Sequence, residues 1–352
     1  MTGLDKFRLT RLLWLQLFKR SPINLRKFFW VEKGPNPQAI GLFLSSYIRI
    51  YKTLPEEKTL EIIKALYQTL ENIESKGWSG SCWGYNFDWQ ARAFFQPAFT
   101  PTVIPTVYAG HGILDYYELT KENGLLEKAH SICLFLLKDL NRTYLPDGNF
   151  AFSYSPKDQS VVFNVTLHVA NFLARMYKYS KDRNYLDTAT KAVEYCIRYQ
   201  NEDGSWPYGS LRYHQWKDSF HTGYNLECLS GYERYSGDNR FSKNIKKGLE
   251  YYVQTFFDEE GRPAYYHNKK YPYDINSVAQ LVVTVCKLGA VSQHGELINK
   301  LLNWSFDNLW SEKGYFYYRK TRYYAIRVPY MRWSQAWMFY ALQLYIDEQS
   351  NG

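Results

Sequence analysis

The stretch "YLDTATKAVEYCIRYQNEDGSWPYG", residues 185–209, joins two kinds of segment whose alternation organises the whole chain. Its first part places Leu186, Ala189, Val193, Cys196 and Ile197 on one helical face, with Asp187, Lys191, Glu194 and Arg198 largely off it. That spacing predicts an amphipathic helix over 183–200, able to bury only one side. Its second part is a turn in which a glycine is followed closely by aromatics. Such loops recur at intervals of roughly fifty to sixty residues. They are "GWSGSCWGYNFDW" (77–89), "DGNFAFSYS" (147–155), "EGRPAYYHNKKYPYD" (260–274) and "KGYFYYRKTRYYAIRVPY" (313–330).

Each loop precedes an apolar helix poor in charge, expected over 101–118, 160–178, 218–236, 274–289 and 330–347, with 37–53 as another of the same kind. Amphipathic helices are expected over 57–76, 124–141, 183–200, 241–257 and 293–309, and a helix at about 4–19 can serve as the sixth. Six buried and six amphipathic helices in alternation predict an all-α chain folded as an (α/α)6 toroid, each hairpin burying its apolar face against its neighbours. The aromatic loops would then crowd one end of the barrel, where a binding site is expected. An open α-solenoid is the structural alternative, although its loops would be shorter and more uniform. The expected organisation is a basic amphipathic segment, 1–36, packing on a barrel domain, 37–352.

The chain has 352 residues, 45% hydrophobic, enough for a substantial core. Aromatics reach 18%, a content suited to stacking on rings, sugars above all. Five dispersed cysteines, Cys82, Cys133, Cys196, Cys228 and Cys286, form no zinc spacing, so no metal or other cofactor is expected. They suggest reduced thiols and a cytoplasmic location. The apolar run Leu12–Phe18 is short, broken by Gln16 and followed by no cleavage site, so it does not read as a signal peptide.

Of the net charge of +9, residues 1–33 carry +6, eight basic side chains against Asp5 and Glu32. Interleaved with Leu12, Leu13, Trp14, Leu15, Phe18, Phe28, Phe29 and Trp30, they fit first an ordinary docking helix with a solvated basic face. Peripheral contact with the inner face of an anionic membrane is the alternative. No basic-aromatic recognition motif occurs elsewhere, so nucleic acid is not an expected partner.

Gln200, Gly204 and Trp206 resemble the Q-x-x-x-G-x-W element of α/α-toroid enzymes, which include terpene cyclases and many sugar-active enzymes. The resemblance implies a brace between an outer helix and its following loop. The D-x-D-D cluster of protonating terpene cyclases is absent, and Asp218 and Cys228 lack the spacing of the zinc ligands in protein prenyltransferases. Over nearly the whole chain, the sequence is similar to (α/α)6-barrel carbohydrate enzymes: unsaturated glucuronyl hydrolases, barrel polysaccharide lyases and the helical domain of glucuronyl C5-epimerases. "CWGYNFDWQAR" (82–92), "DSFHTGYNLE" (218–227), "YYHNKKYPYDINSVAQ" (265–280) and "RWSQAWMFYAL" (332–342) resemble segments of a family associated with bacterial surface-polysaccharide biosynthesis. That likeness implies an oligo- or polysaccharide substrate and carries over no catalytic residue.

Three aspartates stand near hairpin entrances. Asp88 lies between Phe87 and Trp89, with Arg92 one turn on if the segment is helical, and a carboxyl among aromatics suits a general acid. Asp218 sits three residues before His221, in N-cap position, with Tyr224 and Asn225 on the same face. Asp274 repeats the arrangement ahead of Asn276 and Gln280, with His267 and Asn268 in the loop before it. Glycoside hydrolysis needs two carboxyls, and Asp88 with Asp218 or Asp274 is the expected pair. A uronate lyase or C5-epimerase would instead neutralise a carboxylate and remove the C5 proton, using His221, Tyr224, Asn225, His267 or Arg332.

Arg332 beside Trp333 suggests a carboxylate clamp next to a stacking platform. Trp83, Trp89, Trp206 and His214 complete the expected sugar contacts. Arg319, Lys320, Arg322 and Arg327 among six tyrosines suit an anionic glycan or a lipid-linked pyrophosphate sugar. His168, Glu227 and Cys228 read as structural. The favoured function is hydrolysis of an acidic or cell-surface glycan, with a lyase or epimerase as one alternative and a non-catalytic glycan-binding component of a polysaccharide assembly as another.

Overall fold

The computed structural model describes residues 7–90 and 95–351. Among the described residues twelve α-helices follow one another: α1 (Arg8–Arg20), α2 (Pro37–Thr53), α3 (Glu57–Asn72), α4 (Val103–Thr120), α5 (Asn123–Lys138), α6 (Phe163–Ser180), α7 (Arg183–Ile197), α8 (Ser219–Ser236), α9 (Ser242–Phe256), α10 (Ile275–Lys287), α11 (Val291–Leu309) and α12 (Trp337–Asn351). The even-numbered helices are the inner set. Each packs on the next, and α12 returns to α2, so the ring closes as an (α/α)6 toroid.

Burial explains which helices go inside. Every residue from Ile275 to Cys286 of α10 is buried, as is every residue from Phe163 to Met176 of α6, so these helices have no face for water. Helix α7 buries Ala189, Ala192, Val193 and Cys196 and leaves Asp187 and Lys191 outside. Close approach between inner helices needs a missing side chain at Gly41, where a Cβ would sit 2.3 Å from the Tyr108 carbonyl oxygen on α4.

Polar side chains tie the inner helices together around the ring. Ser45 on α2 donates to Asp115 on α4 at 2.6 Å, and Arg175 on α6 reaches the same carboxyl at 2.5 Å. Burial pushes the Asp115 pKa up, but Arg175 and Ser45 outweigh it and hold it near about 2. His168 Nδ1 lies 3.2 Å from Cys228 Sγ, joining α6 to α8. Glu227 of α8 pairs with Lys287 of α10, whose ammonium lies 5.3 Å from the Tyr340 ring of α12. Asp347 of α12 then pairs with Arg49 of α2 at 2.8 Å. Glu227 and Cys228 are therefore structural, and His168 is a buried imidazole whose pKa burial lowers to about 4.

Each of the five loops that lead from α3, α5, α7, α9 and α11 to the next inner helix contains a glycine in the left-handed region: Gly77, Gly148, Gly204, Gly261 and Gly314. Gln200 donates to the carbonyls of Gly204 and Asn244, at 3.0 and 2.9 Å, so the brace spans α7, its loop and α9. Trp206 is 2% exposed and its indole N–H donates to the Cys196 carbonyl at 3.1 Å. Trp83 repeats this contact two hairpins earlier, donating to the Leu70 carbonyl at 2.8 Å. These two tryptophans hold loops to outer helices and are buried away from solvent, which corrects their expected role in sugar contact.

The loops also hold short strands that the helical periodicity does not announce. They are β1 (Trp89–Gln90) with β2 (Phe95–Gln96), β3 (Arg142–Tyr144) with β4 (Phe150–Phe152), β5 (Ala264–Tyr266), β6 (Lys269–Asp274), β7 (Trp310–Ser311) with β8 (Tyr315–Phe316), β9 (Arg319–Lys320) and β10 (Ala325–Ile326). One sheet, in the order β10-β9-β6-β5, unites the fourth and fifth loops.

Helix α1 departs from the expected place of a sixth outer helix. Its partners are mouth loops: Arg11 Nε donates to Gln90 at 2.8 Å, the Phe18 carbonyl accepts from Tyr330, and the Arg20 carbonyl accepts from Tyr324, both at 3.2 Å. It runs as a strap from the first loop to the last, because its cations and aromatics find partners there.

Gly204 tests the loop brace directly. Its φ is +90° and a Cβ would meet the Lys247 carbonyl oxygen at 2.4 Å, so Gly204→Ala should cost roughly 2 kcal/mol or more. Gly124→Ala, in α5 with open space around it, should be neutral or stabilising. Urea unfolding midpoints of the two variants check the difference.

Candidate functional site

The inner helices begin at the end of the barrel that carries the loops, so their N-terminal caps border its mouth. Asp218 caps α8, accepting from the His221 backbone N–H at 3.0 Å, and Asp274 caps α10, accepting from Asn276 at 2.9 Å. Both aspartates have a second engagement, and the two differ in kind.

Asp218 turns its carboxyl to the ring of His221, whose Nδ1 lies 2.7 Å from Oδ2 and 2.9 Å from Oδ1. Trp216 Nε1 donates to the same carboxyl at 3.1 Å. The Asp218 side chain is 1% exposed and that of His221 23%, so a buried carboxyl orients a half-buried imidazole. With Nδ1 held by the carboxyl, Nε2 is the nitrogen left to accept or deliver a proton. Asp274, by contrast, is paired with Arg319, whose Nε donates at 2.9 Å. Asp88 is exposed immediately before β1 and accepts from the Ala98 backbone N–H, just past β2, at 2.8 Å. It is therefore not the desolvated acid that its aromatic neighbours suggest in sequence. Arg92 lies outside the described residues.

Each loop sends one tyrosine to the mouth: Tyr85, Tyr154, Tyr208, Tyr265 and Tyr318. Burial raises the pKa of all five, as it does that of Tyr224, so all remain phenols at neutral pH. Tyr224 accordingly suits a proton donor rather than a base; its oxygen accepts from Asn276 Nδ2 at 3.2 Å. The repeat of a tyrosine shortly after each loop glycine is the sequence signal for this set.

Cations lie between these rings. Arg319 sits 4.7 Å from the Tyr265 ring and 4.5 Å from that of Tyr318, and Tyr318 stacks on Trp333 at 5.6 Å. Arg332 lies 4.6 Å from Trp333 and 4.5 Å from Tyr85, which stacks on Phe87. The result is a ladder of alternating rings and guanidinium groups that crosses from the fourth loop to the first. Lys19, brought in by α1, lies 5.7 Å from the Trp333 ring. Among the described residues no carboxylate pairs with Lys19 or Arg332. Lys19 is a member of the site that only the position of α1 reveals.

Below His221, a narrow crevice is lined by Asn164, Trp206, Tyr208, Asp218, His221 and Asn225. The side-chain oxygens of Asn164, Asn225 and Asn276 are buried and have no partner among the described residues. Polar residues at helical spacing inside otherwise apolar helices, Asn164–His168–Asn171 and Asn276–Gln280–Thr284, mark this interior in the sequence. The remaining expected residues stand apart from it. His267 and Asn268 are exposed at the tip between β5 and β6, where His267 Nδ1 contacts the Lys217 carbonyl at 3.3 Å. His214 is buried under its own loop, edge-on to Tyr208. Trp89 leans on Tyr154 at the rim.

Neither a protein-family model nor a curated protein sequence matches this chain. Solved structures do. A sugar epimerase from a ruminal bacterium aligns with a TM-score of 0.68 at 13% identity, over 89% of this chain and 87% of that one. An unsaturated glucuronyl hydrolase specific for heparin aligns at 0.64 and 11%, over 89% and 86%. A polysaccharide lyase aligns at 0.64 and 11%, over 99% and 98%. At such identities the likeness establishes the shared (α/α)6 fold.

The charge on Lys19 generates a pH prediction. Burial first, then the nearby Arg319 and Arg332, lower its pKa from 10.5 to about 8 against the opposing pull of Asp274. The ammonium is present below that pH and lost above it, so affinity for an anionic sugar at Arg332 should fall as pH rises through about 8. Titration calorimetry with glucuronate oligosaccharides should show this fall in the native protein and a flat profile in Lys19→Met.

Proposed function

We propose that the protein is a carbohydrate-active enzyme that moves a proton at the carbon beside a sugar carboxylate, acting as a uronate lyase or C5-epimerase. The observation that carries this reading is the Asp218–His221 pair, a carboxyl-oriented imidazole at the mouth of an aromatic barrel. The names of the solved structures that share the fold, sugar epimerase, unsaturated glucuronyl hydrolase and polysaccharide lyase, support a carbohydrate substrate.

In this reading Arg332 and Lys19 receive the uronate carboxylate, and the pyranose stacks on the mouth tyrosines. The unpartnered oxygens of Asn164, Asn225 and Asn276 accept from sugar hydroxyls. His221 Nε2 takes the C5 proton, and the cationic pair stabilises the charge that develops on the carboxylate. For a lyase, the C5–H electron pair forms the C4–C5 double bond, the C4–O bond breaks, and Tyr224 supplies a proton to the departing oxygen. For an epimerase, the C4–O bond stays intact and C5 regains a proton on its other face.

Hydrolysis by paired aspartates has weaker support, because Asp274 is engaged by Arg319 and Asp88 is exposed and accepts from the Ala98 backbone.

A panel of uronate-containing oligosaccharides, followed by ultraviolet absorbance for the unsaturated product and by deuterium entry at C5, tests the reading. His221→Asn should lower turnover by about 10²–10⁴-fold, with Asp88→Asn close to native. Native-like turnover in His221→Asn would refute the proposal. A hydrolytic product that disappears in Asp88→Asn and Asp274→Asn would establish the paired-carboxyl mechanism instead.

A further inference from the structure

We propose that the N-terminal segment, together with the tip of the last mouth loop, docks on an anionic lipid bilayer and so turns the barrel mouth toward the membrane. Ten of the 23 large apolar side chains exposed among the described residues fall between Phe7 and Val31. Leu13, Phe28 and Trp30 are the clearest, at 62%, 68% and 89% exposure. Trp30 adopts a left-handed φ of +48°, uncommon for a bulky residue, and projects into solvent.

The opposite side of the segment is fixed. Phe18 is buried, and the carbonyls of Phe18, Arg20 and Pro22 all accept from the last mouth loop. That loop continues the apolar surface with Tyr323 and Met331, which are 83% and 56% exposed.

Charge identifies the occupant. Residues 7–33 contain seven cations and one acid, Glu32. The identified partners of Arg20 and Arg26 are neutral: Arg20 donates to Gln16, and Arg26 stacks on Tyr330 and Phe18. Among the described residues no carboxylate pairs with Arg20, Arg26 or Lys33. A second copy of this chain would set cations against cations, whereas an anionic bilayer satisfies the charge and the apolar side chains together. No helix among the described residues is long and apolar enough to cross a membrane, and the thirteen residues of α1 suit an in-plane position. A glycan carried on a lipid would then meet the mouth without leaving the surface. The docking proposal stands independently of the reaction proposed above, since its test does not read catalysis.

Full-length protein should co-sediment with phosphatidylcholine vesicles containing phosphatidylglycerol and not with phosphatidylcholine alone, and added salt should weaken binding. Arg20→Ser with Lys33→Ser should weaken it about 30-fold. Leu13→Ser, Phe28→Ser and Trp30→Ser together should abolish it while leaving the thermal transition in place, because all three side chains are exposed. Brominated-chain lipids should quench tryptophan emission of the native protein, a readout that needs no variant to fold. Equal binding to neutral vesicles, absence of binding and quenching with phosphatidylglycerol, or native-like binding by the triple variant would overturn the proposal. So would a concentration-dependent dimer, without vesicle binding, that the triple variant disrupts.

Discussion

Closure of the inner ring rests on polar groups that have nowhere to go but to one another. Six helices with almost no face for water converge on a common axis, yet they carry Asp115, Arg175, Glu227 and Lys287 into that space. A buried charge without a partner costs several kcal/mol, so each must meet its counterpart on the next helix. Hydrophobic packing alone tolerates sliding between helices, whereas the pairs Asp115–Arg175 and Glu227–Lys287 are satisfied in one register. With the register fixed, the helix starts are level, and the caps Asp218 and Asp274 arrive beside the same opening.

The mouth inherits its chemistry from that arrangement. Because each of these five loops turns on a left-handed glycine and returns to an inner helix, five tyrosines and their cationic neighbours converge. Arg319 is committed to Asp274, whereas among the described residues no carboxylate pairs with Arg332 or Lys19, both of which lie against the Trp333 ring. The same excess of cations continues outward along α1. Under the two proposals above, one electrostatic bias would serve an anionic sugar inside the mouth and an anionic lipid outside it.

Much of the fold was legible in order of residues. The periodicity of 185–200 and the recurrent glycine-aromatic loops fixed the number and alternation of helices from α2 onward, because helical spacing and left-handed glycine are local properties. The Gln200, Gly204 and Trp206 brace was legible for the same reason. Helix α1 was misplaced because an amphipathic pattern records that one face is covered without recording what covers it. Trp83 and Trp206 were misread because an aromatic in a loop can point outward to a ligand or back to a helix carbonyl, and both choices look identical in sequence.

The site divides along the same line. Sequence by itself determined the toroid, the His221 and Asp218 spacing on one helix face, and the cationic, apolar character of the N-terminal segment, all of which depend on neighbours within a few residues. Tertiary structure alone decided that Asp218 holds His221 while Asp274 holds Arg319, although both are N-caps. It also decided that Asp88 faces water and that Lys19 joins Arg332 across more than three hundred residues of chain. Those outcomes follow from which loops ring closure brings together, and long-range contacts of that kind leave no periodic trace in the chain that makes them.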